Sequence, residues 1–190
     1  MSICTDLRVR AQNDSNFMSS VITGDECRVY GYDPETKQMS FQWSTSTSSP
    51  RPKKARQVKS NIKTMLIAFF DIDGLVHHEF ILTGQAVNKE FYKTVLQRLR
   101  DAVRRHRPEE RRSGNWILHS DNAPAHRAVT TNEFLAKHNI PSLPQPPYSP
   151  DLAPCDFFLF PQLKKTMKVR RFDYVEDIQA NTTTKGYYKK

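Results

Sequence analysis

Asp25, Asp121 and Asp156 each stand where the surrounding pattern calls for an apolar residue. Asp25 shares one face of an alternating run with Val21, Cys27 and Val29. Asp121 follows the short apolar run from Trp116 to Ser120 and closes it at its carboxyl end, where α/β sheets carry their sites. Asp156 lies four residues after Leu152 and four before Phe160, on the inward stripe of a last helix. A buried carboxylate without a partner is costly, so each needs a cation or a proton. Three carboxylates converging from separate elements form an all-oxygen, negative cage, which suits Mg²⁺ or Mn²⁺. Two such ions about 3.5–4 Å apart would clamp a phosphodiester, one activating the attacking oxygen and one stabilising the leaving oxygen. Aspartates also cap helices and close turns, so the residues alone leave a structural reading open.

The other polar side chains have simpler readings. Asp71 and Asp73 belong to a hairpin turn, and Asp151 after Ser149-Pro150 to a turn or helix cap. Glu26 points off the Asp25 face, either solvated or paired. His119 and His126 flank Asp121, but two histidines without a third ligand do not make a zinc site. His77 and His78 lie on a strand and read as structural.

The chain has 190 residues, 29 of them Lys or Arg against 20 Asp or Glu, for a formal charge of +9. Such an excess speaks to partners rather than fold, and the partner it fits is a polyanion such as a nucleic acid. Six of the basic residues, Arg51, Lys53, Lys54, Arg56, Lys59 and Lys63, fall in one acid-free stretch. Its start, Pro50-Arg51-Pro52-Lys53-Lys54-Ala55-Arg56, reads as a phosphate-contacting arm or a nuclear-import signal, with a solvated loop as the plain alternative. The nucleus is therefore the expected compartment. No membrane partner is expected, because the longest apolar run, Met65 to Phe70, is far short of the ~20 residues of a membrane helix. Three cysteines, Cys4, Cys27 and Cys155, without a CxxC pair argue against a disulfide framework or zinc finger. No organic small-molecule cofactor is expected.

The elements that must position these residues can be read in order. Residues 1–20 are polar and read as a connector. Val21 to Tyr30 alternate as a strand, and residues 31–63, with Pro34, Pro50, Pro52 and a Ser/Thr run at 44–49, form a long loop with a short strand around Phe41 to Trp43. Thr64 to Asp71 and Leu75 to Leu82 make a hairpin hinged at Asp73-Gly74. Asn88 caps a helix with the stripe Phe91, Val95, Leu99 and Val103, which ends in a basic cluster at Arg104, Arg105 and Arg107. After the Trp116 strand, Asn122-Ala123-Pro124 opens a second helix ended by Asn139. A brief strand spans Ile140 to Leu143, and a last helix runs from about Leu152, kinked or restarted at Pro161.

Four segments carry a family resemblance: Val21-Ile-Thr-Gly-Asp-Glu, Tyr30-Gly-Tyr-Asp-Pro-Glu-Thr-Lys, His119-Ser-Asp-Asn-Ala-Pro-Ala-His and Pro147-Tyr-Ser-Pro-Asp-Leu-Ala-Pro-Cys-Asp-Phe-Phe-Leu-Phe-Pro. Over roughly residues 1–181 the sequence resembles a mariner-type transposase of the Tc1/mariner superfamily. The resemblance implies an α/β, RNase H-like mixed sheet flanked by helices, with a clamp-type loop inserted after the first strand. It places the catalytic and metal-holding roles on Asp25, Asp121 and Asp156, the last two separated by 34 residues as in the family. The implied activity is DNA transposition: Mg²⁺- or Mn²⁺-dependent cleavage of phosphodiester bonds by two ions, then strand transfer. The alternative is a catalytically inactive remnant that binds nucleic acid or dimerises. The clamp-like loop implies a homodimer as a further partner.

Departures from the family pattern shape the domain reading. Residues 1–20 read as a linker remnant, 21–170 as the catalytic domain and 171–190 as a shortened C-terminal tail, with the paired helix-turn-helix modules absent. Arg28 stands where the family usually has Trp, adding a charge near Asp25, and Ser120 where it usually has His. The tail is expected to fray around Val175 and Ile178. Some relatives are fused to a SET-type methyltransferase domain, and nothing in these 190 residues resembles one.

Overall fold

The computed structural model describes residues 3–34, 58–82, 84–107, 116–168 and 170–184. The chain opens with helix α1, Ile3–Asn13, and a single turn α2, Phe17–Ser20. The alternating run then forms strand β1, Val21–Tyr30, and the next two β-rich runs form β2, Lys63–Asp71, and β3, Gly74–Ile81. Gly74 turns the hairpin at φ 118°, a backbone conformation that side chains with a Cβ avoid. Helix α3, Lys89–His106, follows, capped by Asn88, whose side chain accepts the Phe91 N–H. Strand β4 is Ile117–His119, helix α4 Val129–Lys137, strand β5 Ser142–Leu143, helix α5 Phe160–Met167 and helix α6 Val175–Thr184.

The five strands lie in the order β3-β2-β1-β4-β5. β1 pairs antiparallel with β2, and β2 with β3, while β1–β4 and β4–β5 are parallel. Helices cover both faces. Ile22, Ile67 and Phe69 pack on one side against Val95, Leu96 and Leu99 of α3 and Phe134 and Leu135 of α4. Cys27, Leu66 and Ala68 pack on the other against Leu159, Phe160 and Leu163 and against Ile178 of α6. Burying each large aliphatic side chain contributes about 1.5–3 kcal/mol, so these two layers hold the sheet. The mixed sheet between helices is the architecture expected.

One close approach sits beside the site. Gly24 faces Phe69 across β1 and β2, and a Cβ at Gly24 would fall 2.1 Å from Phe69 Cδ1. Phe69 is fully buried and has no room to swing aside. Gly24→Ala is therefore expected to lower stability by about 2 kcal/mol through overpacking, read from the urea midpoint. An unchanged midpoint would show that the Phe69 ring yields.

Three local expectations are corrected and one holds. Helix α4 starts at Val129, not at Asn122-Ala123-Pro124: residues 124–127 form a turn, and extended backbone at Ala128 (ψ 147°) separates it from the helix. Asn139 does end α4, at φ 54°, with Ile140 N–H donating to Leu135 O and Asn139 N–H to Ala136 O, a Schellman closure. The stretch from Leu152 is not one helical stripe. A 3₁₀ turn, Pro150–Leu152, leads to a π turn, Cys155–Leu159, in which the Phe160 N–H reaches back to Cys155 O. Pro161 has no N–H to extend that ladder, and the wider turn shifts the helical phase. Cys155 and Leu159 are buried as a result, and Asp156 is exposed rather than inward.

Within the stretch read as a connector, residues 3–20 are largely helical, with Phe17 buried against Ile117 and Leu143. α6 does not fray around Ile178: that side chain is fully buried among Leu66, Phe160 and Leu163. At the root of the 31–63 loop, Gly31 N–H donates to Ile62 O and Ser60 N–H to Tyr32 O. The strand expected around Phe41 to Trp43 and the basic residues Arg51, Lys53, Lys54 and Arg56 lie outside the described residues.

Candidate active site

Sheet register brings two of the aspartates together. β1 and β4 run parallel, with Val21 opposite Ile117 and Thr23 opposite His119. Two residues further along each chain come Asp25 and Asp121, side by side at the carboxyl end of β4. The pairing is fastened just below them, where the Thr23 hydroxyl and His119 Nδ1 meet at 3.1 Å in a buried hydrogen bond. Burial, with Arg127 nearby, lowers the pKa of His119, so its ring stays neutral and structural.

Asp25 is the more deeply buried carboxylate. Its Oδ1 accepts the Glu26 N–H at 2.7 Å. Burial pushes its pKa up to about 7, against that hydrogen bond and with help from the charges of Glu26, Asp156 and Asp121. A half-buried carboxylate surrounded by others, with no cation against it among the described residues, is chemically prepared to receive one.

Asp121 is held differently. Its Oδ1 accepts the Ala123 N–H at 2.9 Å and lies 2.6 Å from His126 Nδ1. The far nitrogen of the same ring, Nε2, lies 3.1 Å from Glu26 Oε1. Both ring nitrogens thus face carboxylate oxygens, and the imidazole donates to each. Burial works against a charged ring, but the bonds to Asp121 and Glu26 outweigh it and raise His126 to about 9. The same contact holds Asp121 below its ordinary range. The ring is buried and packs against Tyr92 at 4.0 Å between centroids. Its loop is braced by Asn122 Nδ2 donating to Gln145 O and by Arg127 Nε donating to Asn122 Oδ1.

Asp156 reaches the same neighbourhood from the π turn, close enough for its charge to raise the pKa of Asp25 and of Cys27. Cys27 is pushed up to about 12, and Cys155 is raised as well, by burial in both cases, so both are inert packing thiols. Beside Asp156, Phe157 and Phe158 are exposed, with Phe158 stacked on Phe70. Among the described residues, no three His, Cys, Asp or Glu side chains lie close enough to hold a metal ion as they stand. The donor set is still chemically suited to a hard cation. Asp25 and Asp121 each spend Oδ1 on hydrogen bonds and leave Oδ2 without one among the described residues.

Of the expected basic contacts, Lys59 and Lys63 are described. Lys59 Nζ lies 3.6 Å from Asp33 and 4.6 Å over the Tyr30 ring, and Lys63 is exposed opposite Tyr30 at the start of β2. Arg28 is exposed on the sheet face opposite Asp25, so its charge is solvated rather than packed against the site. Ser120 is buried beside Tyr92. The role of His126 and the pairing of Glu26 were not legible beforehand. Their only trace in the sequence is a histidine five residues after Asp121 and a second acid next to Asp25.

Comparison with known proteins places this geometry. The family model described as Transposase (partial DDE domain) matches residues 33–127. The Mariner Mos1 transposase of Drosophila mauritiana is 33% identical over 165 residues, covering 86% of this chain and 47% of that protein. The human Histone-lysine N-methyltransferase SETMAR is 29% identical over 180 residues, covering 93% of this chain and 25% of that protein. The chain thus spans about half the length of the first relative and a quarter of the second. The Mos1 paired end complex with Mn superposes at a TM-score of 0.81 with 32% identity, over 94% of this chain and 51% of that one. The catalytic domain of Mos1 superposes at 0.74 with 29% identity, over 94% and 74%. With an RNase H-like sheet, neighbouring aspartates on β1 and after β4, and these relatives, the chain belongs to the mariner-type transposases and forms the core of their catalytic domain.

Proposed function

We propose that this core cleaves and joins DNA phosphodiester bonds, with Asp25, Asp121 and Asp156 holding two divalent ions, Mg²⁺ or Mn²⁺. The observation that carries the reading is the register of parallel β1 and β4, which brings Asp25 and Asp121, each two residues past the last pair, into one neighbourhood, each with one oxygen tied and one left over among the described residues. Solved structures of Mos1 with Mn and with Mg support the choice of ion. When bound, such ions supply Lewis-acid stabilisation for the attacking and leaving oxygens.

The residues of the chain do the rest. Asp25 on its rigid strand and Asp121 on its braced loop present fixed oxygens, and Asp156 brings a third from the π turn. The backbone N–H groups of Glu26 and Ala123 keep the two carboxylates, one mid-strand on β1 and one just past β4, from rotating freely. Arg51, Lys53, Lys54, Arg56, Lys59 and Lys63 supply phosphate contacts that carry no base information, so DNA binding by this chain is salt-sensitive and sequence-tolerant. Pairing of two copies through the 31–63 segment and residence in the nucleus complete the proposal.

The test is nicking of supercoiled plasmid in Mg²⁺ or Mn²⁺ by the natural chain and by Asp121→Asn. Metal stabilisation of the transition state is worth several kcal/mol, so the variant is expected to be slower by about 10³-fold, at 1.36 kcal/mol per decade. Salt-dependent DNA binding by the natural chain without any cleavage would replace this reading with that of a binding remnant.

A further inference from the structure

We infer that His126 is a positioning residue for Asp121, and that Glu26 anchors it from the opposite face of the sheet. This rests on the reading of Asp121 as a metal ligand. Asp121 is a half-exposed side chain at a strand end, and left alone its carboxylate would rotate. Two donors fall on one of its oxygens: the Ala123 N–H at 2.9 Å and His126 Nδ1 at 2.6 Å. Together they fix the plane of the carboxylate and reserve Oδ2.

His126 can do this only because it is itself held at every side. Its ring packs on Tyr92, its N–H donates to Ala123 O, and its Nε2 is engaged by Glu26 Oε1 at 3.1 Å. The next turn is fixed by the Thr131 hydroxyl, which donates to Ala125 O at 2.8 Å. Glu26 follows Asp25 on β1, so the two side chains project from opposite faces. Glu26 therefore does not join Asp25 as a ligand, and its influence on the site passes through the imidazole. The chain of contacts Glu26–His126–Asp121 links β1 to the loop after β4, so the strand that carries Asp25 also sets the orientation of Asp121.

Mn²⁺ binding measured by the loss of the free-ion paramagnetic resonance signal tests this without turnover. The chains compared are the natural one, Asp121→Asn, His126→Phe, Glu26→Leu and Glu26→Gln, each with its thermal midpoint in EDTA. His126→Phe keeps a ring against Tyr92 and loses both bonds, and it is expected to bind Mn²⁺ 10–100-fold more weakly. Glu26→Leu, which removes only the far anchor, should weaken binding about 10-fold, and Glu26→Gln, which still accepts from Nε2, should restore it to within about 3-fold. Should His126→Phe not fold, the two Glu26 variants carry the test. Binding that depends on Asp121 but is unchanged in Glu26→Leu and in any folded His126→Phe overturns the inference alone. Natural-chain binding that is absent, or indifferent to Asp121→Asn, overturns the functional reading and this inference with it.

Discussion

Asp25→Asn is expected to make the metal-free chain more stable at pH 8 while reducing DNA cleavage by about 10³-fold. The stability half follows from the raised pKa of Asp25, about 7 in the folded chain against an ordinary 3.8. Between those values the folded chain keeps a proton that the unfolded chain has released, so stability falls as pH rises from about 4 to about 7 and stays lowered above. Three pH units would amount to about 4 kcal/mol, and partial solvent access reduces this to about 2. Asparagine keeps the acceptor for the Glu26 N–H and carries no charge, so the share of the slope that Asp25 contributes should vanish. His126 works in another window, since its stabilisation is complete below about 6.5 and fades as pH rises through about 9. It is common to both chains and cancels in the comparison.

Urea midpoints at pH 5 and pH 8 in EDTA, for both chains, give the measurement. Adding Mg²⁺ at pH 8 should restore stability to the natural chain more than to Asp25→Asn, because only ligands that favour the folded state shift the equilibrium. Equal slopes for the two chains would mean that the carboxylate is solvated and that its position is structural. The expected outcome is the usual exchange of stability for function at a charged site.

The same electrostatics explain what could be read from the residues alone. Asp25 and Asp121 were legible because strand alternation and a strand end are local signals, and both survive tertiary context. The strand and helix order from Val21 to Met167 was legible for the same reason, as was the Asn88 cap. Asp156 was expected on a buried stripe but is exposed. A 3.6 period assumes an unbroken α-helix, and the π turn at Cys155–Leu159 rotates Asp156 out of the buried stripe. The early start given to α4 failed similarly. Pro124 is a good first-turn residue, but Asp121 and His126 use the 121–127 segment to hold each other, which leaves it a turn.

The remaining features depend on contacts between distant residues. Glu26 and His126 are 100 residues apart and meet only through the register of β1 against β4. Ile178 looked unsupported because its partners, Leu66 and Phe160, belong to other elements. α1 has no buried side chain, so it left no apolar stripe to read. Long-range pairing of this kind has no local sequence signature, whatever its energetic weight.

Arg107→Ala should produce the largest loss of stability, about 3–5 kcal/mol. Asp71, at the end of β2, and Arg107, just after α3, had been read as a turn residue and as part of a basic cluster. Asp71 does close the hairpin, opposite Gly74 and accepting the Asp73 N–H, and it also forms a bidentate pair with Arg107, Nε to Oδ2 at 2.6 Å and Nη2 to Oδ1 at 2.9 Å. The Asp71 side chain is 1% exposed, so removing the guanidinium leaves a buried charge with, among the described residues, the Asp73 N–H alone to compensate it. At roughly 2–4 °C per kcal/mol for a chain of this size, the thermal midpoint should fall by about 6–20 °C. Adding Asp71→Asn should recover much of the loss, since the neutral amide keeps the Asp73 bond and removes the stranded charge. A loss under about 1 kcal/mol for Arg107→Ala would instead mark the pair as a solvated surface bridge. The consequence for the site is indirect and can be separated from chemistry. The pair ties α3 to the β2–β3 hairpin, and β2 holds Asp25 in register opposite Ala68. Below its own midpoint the Arg107→Ala chain should therefore bind Mn²⁺ as the natural chain does, and lose binding only as it unfolds.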